Sequence, residues 1–383
     1  MLKIKILLLL LFVSSMLCAK AIYQIEGFVK DSLTKQAIPF ANISIAKNIQ
    51  KGTICNGDGY FVFKFQENEL NDNILISCMG YIVKNIPVNK LLNNKNTIYL
   101  SANVKLLNIF EIKNYTSPER LLDEVIKQIP VNYKTTETPL INSFNRCYIY
   151  INDTLSRFSE VSYESYDNRK YYDYIKILKN RYLIRKDSIY NKTLYANNLI
   201  FTFHDIINTP FKWVCFNKKN WEKYNIQMSY NNINSDYYYE IKFESKKKYL
   251  DTLHEKIVLT INPIDFSMSK ITWTYFNKHS MSNSEYYYKK FNNIWVPSFF
   301  ASNLHFTFRD KYKVLMKYEN LVTEISYDEN KITEFTNNAI INIPNASINL
   351  MPSDNIDDTF WNNNNFLPIE NKLKQEIEIL KKL

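Results

Sequence analysis

Asn56-Gly57-Asp58-Gly59-Tyr60-Phe61-Val62-Phe63-Lys64-Phe65 sets a tight turn against a run in which Phe61, Phe63 and Phe65 fall on alternate positions. Asn, Asp and Gly accept the positive φ angles of a hairpin turn, and period two is the pattern of a strand with one buried face. The same alternation lies upstream in Tyr23-Gln24-Ile25-Glu26-Gly27-Phe28-Val29 and in Phe40-Ala41-Asn42-Ile43-Ser44-Ile45, separated by the polar, turn-like Asp31-Ser32-Leu33-Thr34-Lys35. Downstream, Asn73-Ile74-Leu75-Ile76-Ser77-Cys78 and Thr97-Ile98-Tyr99-Leu100 add two more strands. Residues 22–105 therefore read as about seven short strands with no helical period, a small β-sandwich. Gly27, Gly57, Asp58, Gly59 and Gly80 are its expected fold-defining turn residues.

All five glycines of the 383-residue chain fall before Tyr81. A shift that abrupt predicts a boundary between residues 105 and 117. Beyond it, Ser117 is a good helix N-cap and Pro118 suits the first helical position. Leu121, Leu122, Val125, Ile126 and Ile129 follow at helical spacing, and Pro130 is expected to end the helix. Residues 140–325 are strand-like and rich in tyrosine. Residues 237–243, 254–261 and 269–275 form successive strand patterns, with Asn262-Pro263-Ile264-Asp265 as one turn and Asn292-Asn293 as the tip of another hairpin. Asn tolerates the left-handed conformation, so a glycine-free meander can still turn. The expectation for residues 117–325 is a large antiparallel sheet, aromatic on one face and packed there by the 117–130 helix. Residues 326–383 read as a linker and a short amphipathic helix with Ile369, Leu373, Ile377 and Leu380 on one side. Glu370–Lys374 and Glu378–Lys382 are the expected pairs on the other.

Gly27-Phe28-Val29-Lys30-Asp31, Ile38-Pro39-Phe40-Ala41-Asn42-Ile43, Gly52-Thr53, Asn56-Gly57-Asp58-Gly59-Tyr60-Phe61 and Ser77-Cys78-Met79-Gly80-Tyr81 together resemble, in order and spacing, carboxypeptidase regulatory-like domains. The resemblance implies a transthyretin-like sandwich, of a kind found at the N-termini of envelope proteins of Bacteroidota, and no peptidase chemistry of its own. Residues 117–133, 256–273, Asp357-Asp358-Thr359-Phe360-Trp361 and Leu367-Pro368 resemble more loosely a domain of unknown function that follows it in one such family. Longer members continue into an outer-membrane barrel, so this chain resembles a barrel-less member.

Lys3 and Lys5, the apolar residues 6–13 and Ala19-Lys20-Ala21 form a secretory signal pattern over residues 1–21, with cleavage expected at Ala21. Cys18 leaves a lipidated N-terminus open, although Leu17 is not the small residue that normally precedes such a cysteine. Export predicts a periplasmic or outer-membrane-associated protein in peripheral contact with that membrane. Cys55, Cys78, Cys147 and Cys215 show no Cys-x-x-Cys spacing and read as buried thiols. Asp31-Ser32-Leu33, Asp153-Thr154-Leu155, Asp187-Ser188-Ile189 and Asp251-Thr252-Leu253 resemble O-glycosylation acceptors of exported Bacteroidota proteins. Ser32, Thr154, Ser188 and Thr252 are thus candidate acceptors, although Asp-Ser is also a common turn dipeptide.

Catalytic patterns are scarce. His204, His254, His279 and His305 lack metal-ligand spacing, and the glycine-free region offers neither a nucleophile elbow nor a phosphate loop. Glu160 and Glu164 sit in a strand-like stretch and read as solvated. The net charge of +10 is spread over short lysine runs, in the company of abundant Asn, Ile and Tyr, so no nucleic-acid partner is expected. No catalytic, metal or cofactor residue is nominated, and no cofactor is expected. The expectation is a non-enzymatic exported module that binds or assembles with an envelope protein, glycan or lipid. Two alternatives stand beside it: a lipid or lipoprotein carrier, if the aromatic meander curls into a half-barrel, and an unrecognised hydrolase.

Overall fold

A computed structural model describes residues 22–78, 80–92, 94–102, 115, 117–133, 138–167, 173–185, 206–207, 214–233, 236–246, 254–291, 293–308, 311–338, 341–343 and 358–382. The first seven strands are β1 (Ile22–Asp31), β2 (Asn42–Ile45), β3 (Asn48–Ile54), β4 (Tyr60–Gln66), β5 (Asn73–Ser77), β6 (Lys84–Pro87) and β7 (Lys95–Leu100). They form a three-stranded sheet, β4-β1-β7, and a four-stranded sheet, β3-β2-β5-β6. The inward positions of both sheets, including Ile25, Val29, Ile43, Phe61, Phe63, Ile74 and Ile98, share one core. This is the expected seven-stranded sandwich. Two of its glycines meet a backbone need. Gly59 sits at φ +72, and a Cβ on Gly27 would stand 2.4 Å from the Asn96 carbonyl oxygen, where β1 runs parallel to β7.

Eleven strands make the second sheet: β8 (Leu140–Ile151), β9 (Thr154–Asp167), β10 (Asp173–Ile184), β11 (Tyr224–Ile233), β12 (Asp236–Ser245), β13 (His254–Ile261), β14 (Met268–Phe276), β15 (Ser280–Phe291), β16 (Ile294–Phe308), β17 (Tyr312–Ser326) and β18 (Ile341–Ile343). Their order is β11-β12-β13-β14-β15-β16-β17-β8-β9-β10-β18, and the paired neighbours are antiparallel. Asn293 at the β15–β16 tip has φ 65, and Asn152 and Asp153 between β8 and β9 have φ 48 and 62. Asn and Asp thus take left-handed positions that glycine would otherwise fill, and Phe266, at φ 57 in the β13–β14 turn, takes another.

Helix α1 (Pro118–Asn132) starts as expected, with the Ser117 hydroxyl accepting the Arg120 N–H. It runs two residues past Pro130: the proline removes one i→i−4 bond, but the Tyr133 N–H still closes on the Ile129 carbonyl at 3.0 Å. Leu121, Leu122 and Val125 are fully buried against Ile241, Phe243, Leu259 and Ile271 of the sheet. The Tyr133 hydroxyl pins the helix end, donating to the Met268 carbonyl at 2.7 Å and accepting the Met268 N–H at 2.6 Å.

The C-terminal part holds α2 (Glu329–Asn337), α3 (Asp358–Asn363) and α4 (Asn371–Lys381). Leu373, Ile377 and Leu380 bury the apolar side of α4 against Tyr148, Leu155 and Phe158. On its polar side Glu378 pairs with Lys381 at 2.8 Å rather than with Lys382. Among the described residues no helix is long and apolar enough to cross a membrane.

Candidate functional site

Strands β17, β8, β9 and β10 lie side by side, and their register places Glu319 opposite Arg146, Arg146 opposite Glu160, and Glu160 opposite Arg181. Four charges of alternating sign therefore cross four strands in one row, the arrangement in which directly opposed side chains attract. Arg146 Nε donates to Glu160 at 2.7 Å and its Nη1 to Glu319 at 3.3 Å, while Arg181 reaches the other Glu160 oxygen at 2.5 Å. The Arg146 and Glu160 side chains are 3 % and 1 % exposed, so Glu160 is not the solvated residue expected from sequence. A buried carboxylate survives only if cations and hydrogen bonds replace its water. Burial opposes the Arg146 charge, but Glu160 and Glu319 outweigh it and hold the guanidinium above its ordinary value. Burial lifts Glu319 above the usual carboxylate range, with Arg146 offsetting only part of the effect.

The row is flanked on the same face by two apolar rows. On one side Phe299, Leu321 and Phe144 oppose one another and pack with Trp361, Leu367 and Phe366. Ile54 and Phe40 of the sandwich join the same cluster, which ties the two β units together. On the other side Tyr148, Phe158 and Leu183 lie beneath α4. Arg146 also donates to the main-chain carbonyls of Leu367, at 2.5 Å, and Pro368, at 3.4 Å. The charged row thus latches the C-terminal segment onto the sheet. The Arg181 guanidinium stacks 4.9 Å from the Trp361 ring.

Where the latched segment meets the sandwich, a second tie forms. The Asn365 side-chain amide accepts the Lys64 N–H at 2.6 Å and donates to the Lys64 carbonyl at 2.8 Å. Strand β4 is an edge strand, and this one amide imitates the hydrogen bonds of an added neighbour. The Lys64 ammonium donates to the Asn364 carbonyl at 3.0 Å, and burial lowers its pKa.

Between these ties lies a cleft of about 600 Å³. The outer face of β1 and β4 forms one wall, with Gln24, Glu26 and Tyr60; β8 to β10 form the second; and residues 361–381 close it with Trp361, Asn364, Lys374 and Glu378 among others. The Tyr60 hydroxyl donates to Glu26 at 2.7 Å, and burial together with that carboxylate pushes the phenol well up, so it stays a neutral donor at physiological pH. Aromatic walls, side-chain amides and both signs of charge equip the cleft to hold a polar chain by hydrogen bonds and ring contacts.

The residues singled out from sequence lie elsewhere. Gly27, Gly57, Asp58, Gly59 and Gly80 shape the sandwich, and none lines the cleft. Of the Asn56 turn, only Gly59 takes a positive φ; Asp58 instead gives its N–H to the Asn56 side chain at 3.1 Å. Gly80 also has a positive φ, 84. Ser32 follows Asp31, whose carboxylate accepts the Leu33 and Thr34 N–H groups, and Thr154 opens β9 after the Asn152-Asp153 turn. Ala21, Ser188, Thr252 and His204 lie outside the described residues. Cys55, Cys147 and Cys215 are free, buried thiols, and Cys78 is half-buried. Burial pushes the Cys147 thiol up to about 12. Among the described residues no three His, Cys, Asp or Glu side chains gather as metal ligands.

Sequence reading missed Arg146, Glu160, Arg181 and Glu319 because of one residue. A two-residue Asn152-Asp153 turn would set Ser159 opposite Arg146. Ser156 is bulged out between the Tyr150–Leu155 and Ile149–Arg157 pairs, which shifts the register by one and brings Glu160 to that position.

Residues 25–111 match the family model described as CarboxypepD_reg-like domain. No curated protein matches the chain. Among solved structures, a putative outer membrane lipoprotein-sorting protein domain from Vibrio parahaemolyticus aligns at 9 % identity and a TM-score of 0.29, covering 57 % of this chain and 98 % of the other. A LolA superfamily protein from Nitrosomonas europaea aligns at 9 % identity and 0.25, covering 54 % and 94 %. Superpositions this loose do not establish a shared fold.

Proposed function

We propose that the chain is a non-catalytic exported binding module whose cleft takes an extended polypeptide segment of another envelope component, at the periplasmic face of the outer membrane. The observation that carries this reading is the edge of β4 in the cleft wall, where the Asn365 amide already occupies the place of an incoming strand at Lys64. A sheet edge whose main chain takes hydrogen-bonding partners is a common way to bind extended peptides, with neighbouring pockets reading alternate side chains. The wall around it is held in shape before any ligand arrives, since Arg146 fixes the C-terminal segment by two carbonyl contacts. Preorganisation of that kind reduces the ordering cost of binding. Export rests on the signal pattern of residues 1–21.

The carrier alternative would place a lipid on the aromatic face of β12 to β15, but α1 fills that face with Leu121, Leu122 and Val125. A hydrolase would need a nucleophile and base free to react, whereas the cleft carboxylates Glu26, Glu160 and Glu378 are engaged by Tyr60, by Arg146 and Arg181, and by Lys381.

Gentle detergent extraction of the native envelope fraction, followed by sizing, tests the proposal. The wild-type chain is expected to run as a complex. The variant carrying Gln24→Trp and Lys374→Glu, which changes two exposed cleft residues, is expected to run as a free chain with unchanged stability. Free chain for both would overturn it.

A further inference from the structure

A second cavity, of about 280 Å³, lies between the four-stranded sheet of the sandwich and strands β15 to β17. It shares no lining residue with the larger cleft. Its lining holds two lysines and no carboxylate. Lys290 is engaged with Asp265 at 3.4 Å. Lys289, half-buried on β15, has neither an ion pair nor a side-chain hydrogen bond among the described residues. Cations removed from water are ordinarily paired, so an unpaired one beside a cavity is an incomplete arrangement. Burial alone draws its ammonium down to about 8.

Thr53 on β3 also lines this cavity, and its hydroxyl is buried without a hydrogen-bond partner. An uncommitted cation and an uncommitted hydroxyl in the walls of one cavity call for a hydrogen-bond acceptor carrying negative charge. Ile54, Leu75, Leu321 and Val322 line the same space, which favours an apolar tail on that acceptor. Only one cation is uncommitted, so a single negative charge balances the site, and a dianionic phosphate would leave a charge in excess. The volume holds roughly nine water-sized groups.

We propose that this cavity is a binding site for a monocarboxylate with a short apolar chain, its carboxylate on Lys289 and its tail against Ile54 and Leu321. The ligand would bridge the sandwich and the large sheet, because the two lining sets come from opposite units. The site stands apart from the polypeptide cleft, and either proposal survives failure of the other.

Calorimetric titration of the full chain with octanoate, octyl phosphate and inorganic phosphate tests it. Octanoate is expected to bind saturably, at least tenfold more tightly than octyl phosphate, and with no measurable binding of inorganic phosphate. Lys289→Met is expected to weaken octanoate at least tenfold and Lys290→Met to leave it within twofold. Octanoate should also protect Lys289 from reductive methylation, read by mass spectrometry of the wild-type chain, which needs no variant to fold. Equal octanoate affinity in Lys289→Met, tighter binding of either phosphate, or unprotected methylation of Lys289 would each overturn the assignment.

Discussion

The sandwich and the eleven-stranded sheet satisfy their buried charges by different means. In the sandwich, Asp31 accepts the N–H groups of Leu33 and Thr34, and Asp72 accepts that of Asn73, so each buried carboxylate takes main-chain donors of its own turn, Asp31 with the Tyr81 hydroxyl at 3.0 Å besides. The Thr34 N–H, the largest influence, holds the Asp31 carboxyl below the usual carboxylate range. In the sheet, Glu160 is answered by Arg146 and Arg181, 14 and 21 residues away along the chain, and Arg146 by Glu319 across a third strand. Local satisfaction makes a self-contained module. Satisfaction across strands welds together segments that are far apart in sequence, and here it also fastens the C-terminal segment that closes the cleft.

The largest expected effect probes that contrast directly. Arg146→Met strands Glu319, leaves the buried Glu160 with Arg181 alone, and should cost about 3–5 kcal/mol in urea unfolding. Lys51→Met, which breaks the Lys51–Glu69 pair at the sandwich rim, should cost at most about 1 kcal/mol. Similar losses for the two would erase the distinction.

Turn chemistry gives the next test. Gly59→Ala meets both a φ of +72 and a Cβ 2.7 Å from the Val29 carbonyl oxygen, and should destabilise by about 1–3 kcal/mol. Asn293→Gly, at the equivalent left-handed position in the sheet, should stay within about 0.5 kcal/mol, since Asn already accepts that conformation. Thermal unfolding of the two variants separates them. Removing the Asn365 amide with Asn365→Ala should cost about 1–2 kcal/mol through two lost hydrogen bonds, and should expose the β4 edge to faster amide exchange at Lys64.

A test of a different kind, in pH, concerns Lys289. Its pKa falls to about 8 in the folded chain from 10.5, so between those values the unfolded chain binds more protons. Stability should therefore rise with pH across that window. Subtracting the curve of Lys289→Met, measured by urea titration at pH 7.5, 9 and 10.5, isolates this contribution from the tyrosines, whose unfolded value of 10.0 falls inside the same window.

These differences also explain what could be read from sequence. The sandwich was legible because its signals are local: Asn56-Gly57-Asp58-Gly59 marks a turn, and Phe61, Phe63 and Phe65 mark an inward face. Helix α1 was legible from Ser117, Pro118 and the spacing of its leucines, and the Asn293 hairpin from its tip. The cleft was not legible. Its charged row depends on the bulge at Ser156, and nothing in the identity of that serine marks it as the residue to be passed over. Trp361 and Leu367 belong to the stretches that resemble a family pattern, but their contacts with Phe144 span more than 200 positions, a distance over which periodicity says nothing.

The central claim is that the cleft between β1, β4, β8 to β10 and α4 is where this chain meets its ligand. A photo-reactive amino acid placed at Gln24, on the cleft wall, tests it most directly when compared with one at Ile264, which is 75 % exposed on the turn between β13 and β14. After illumination of native envelope fractions, the account predicts a discrete polypeptide adduct at Gln24 and none at Ile264. Adducts of equal yield at both positions, or none at Gln24, would contradict it.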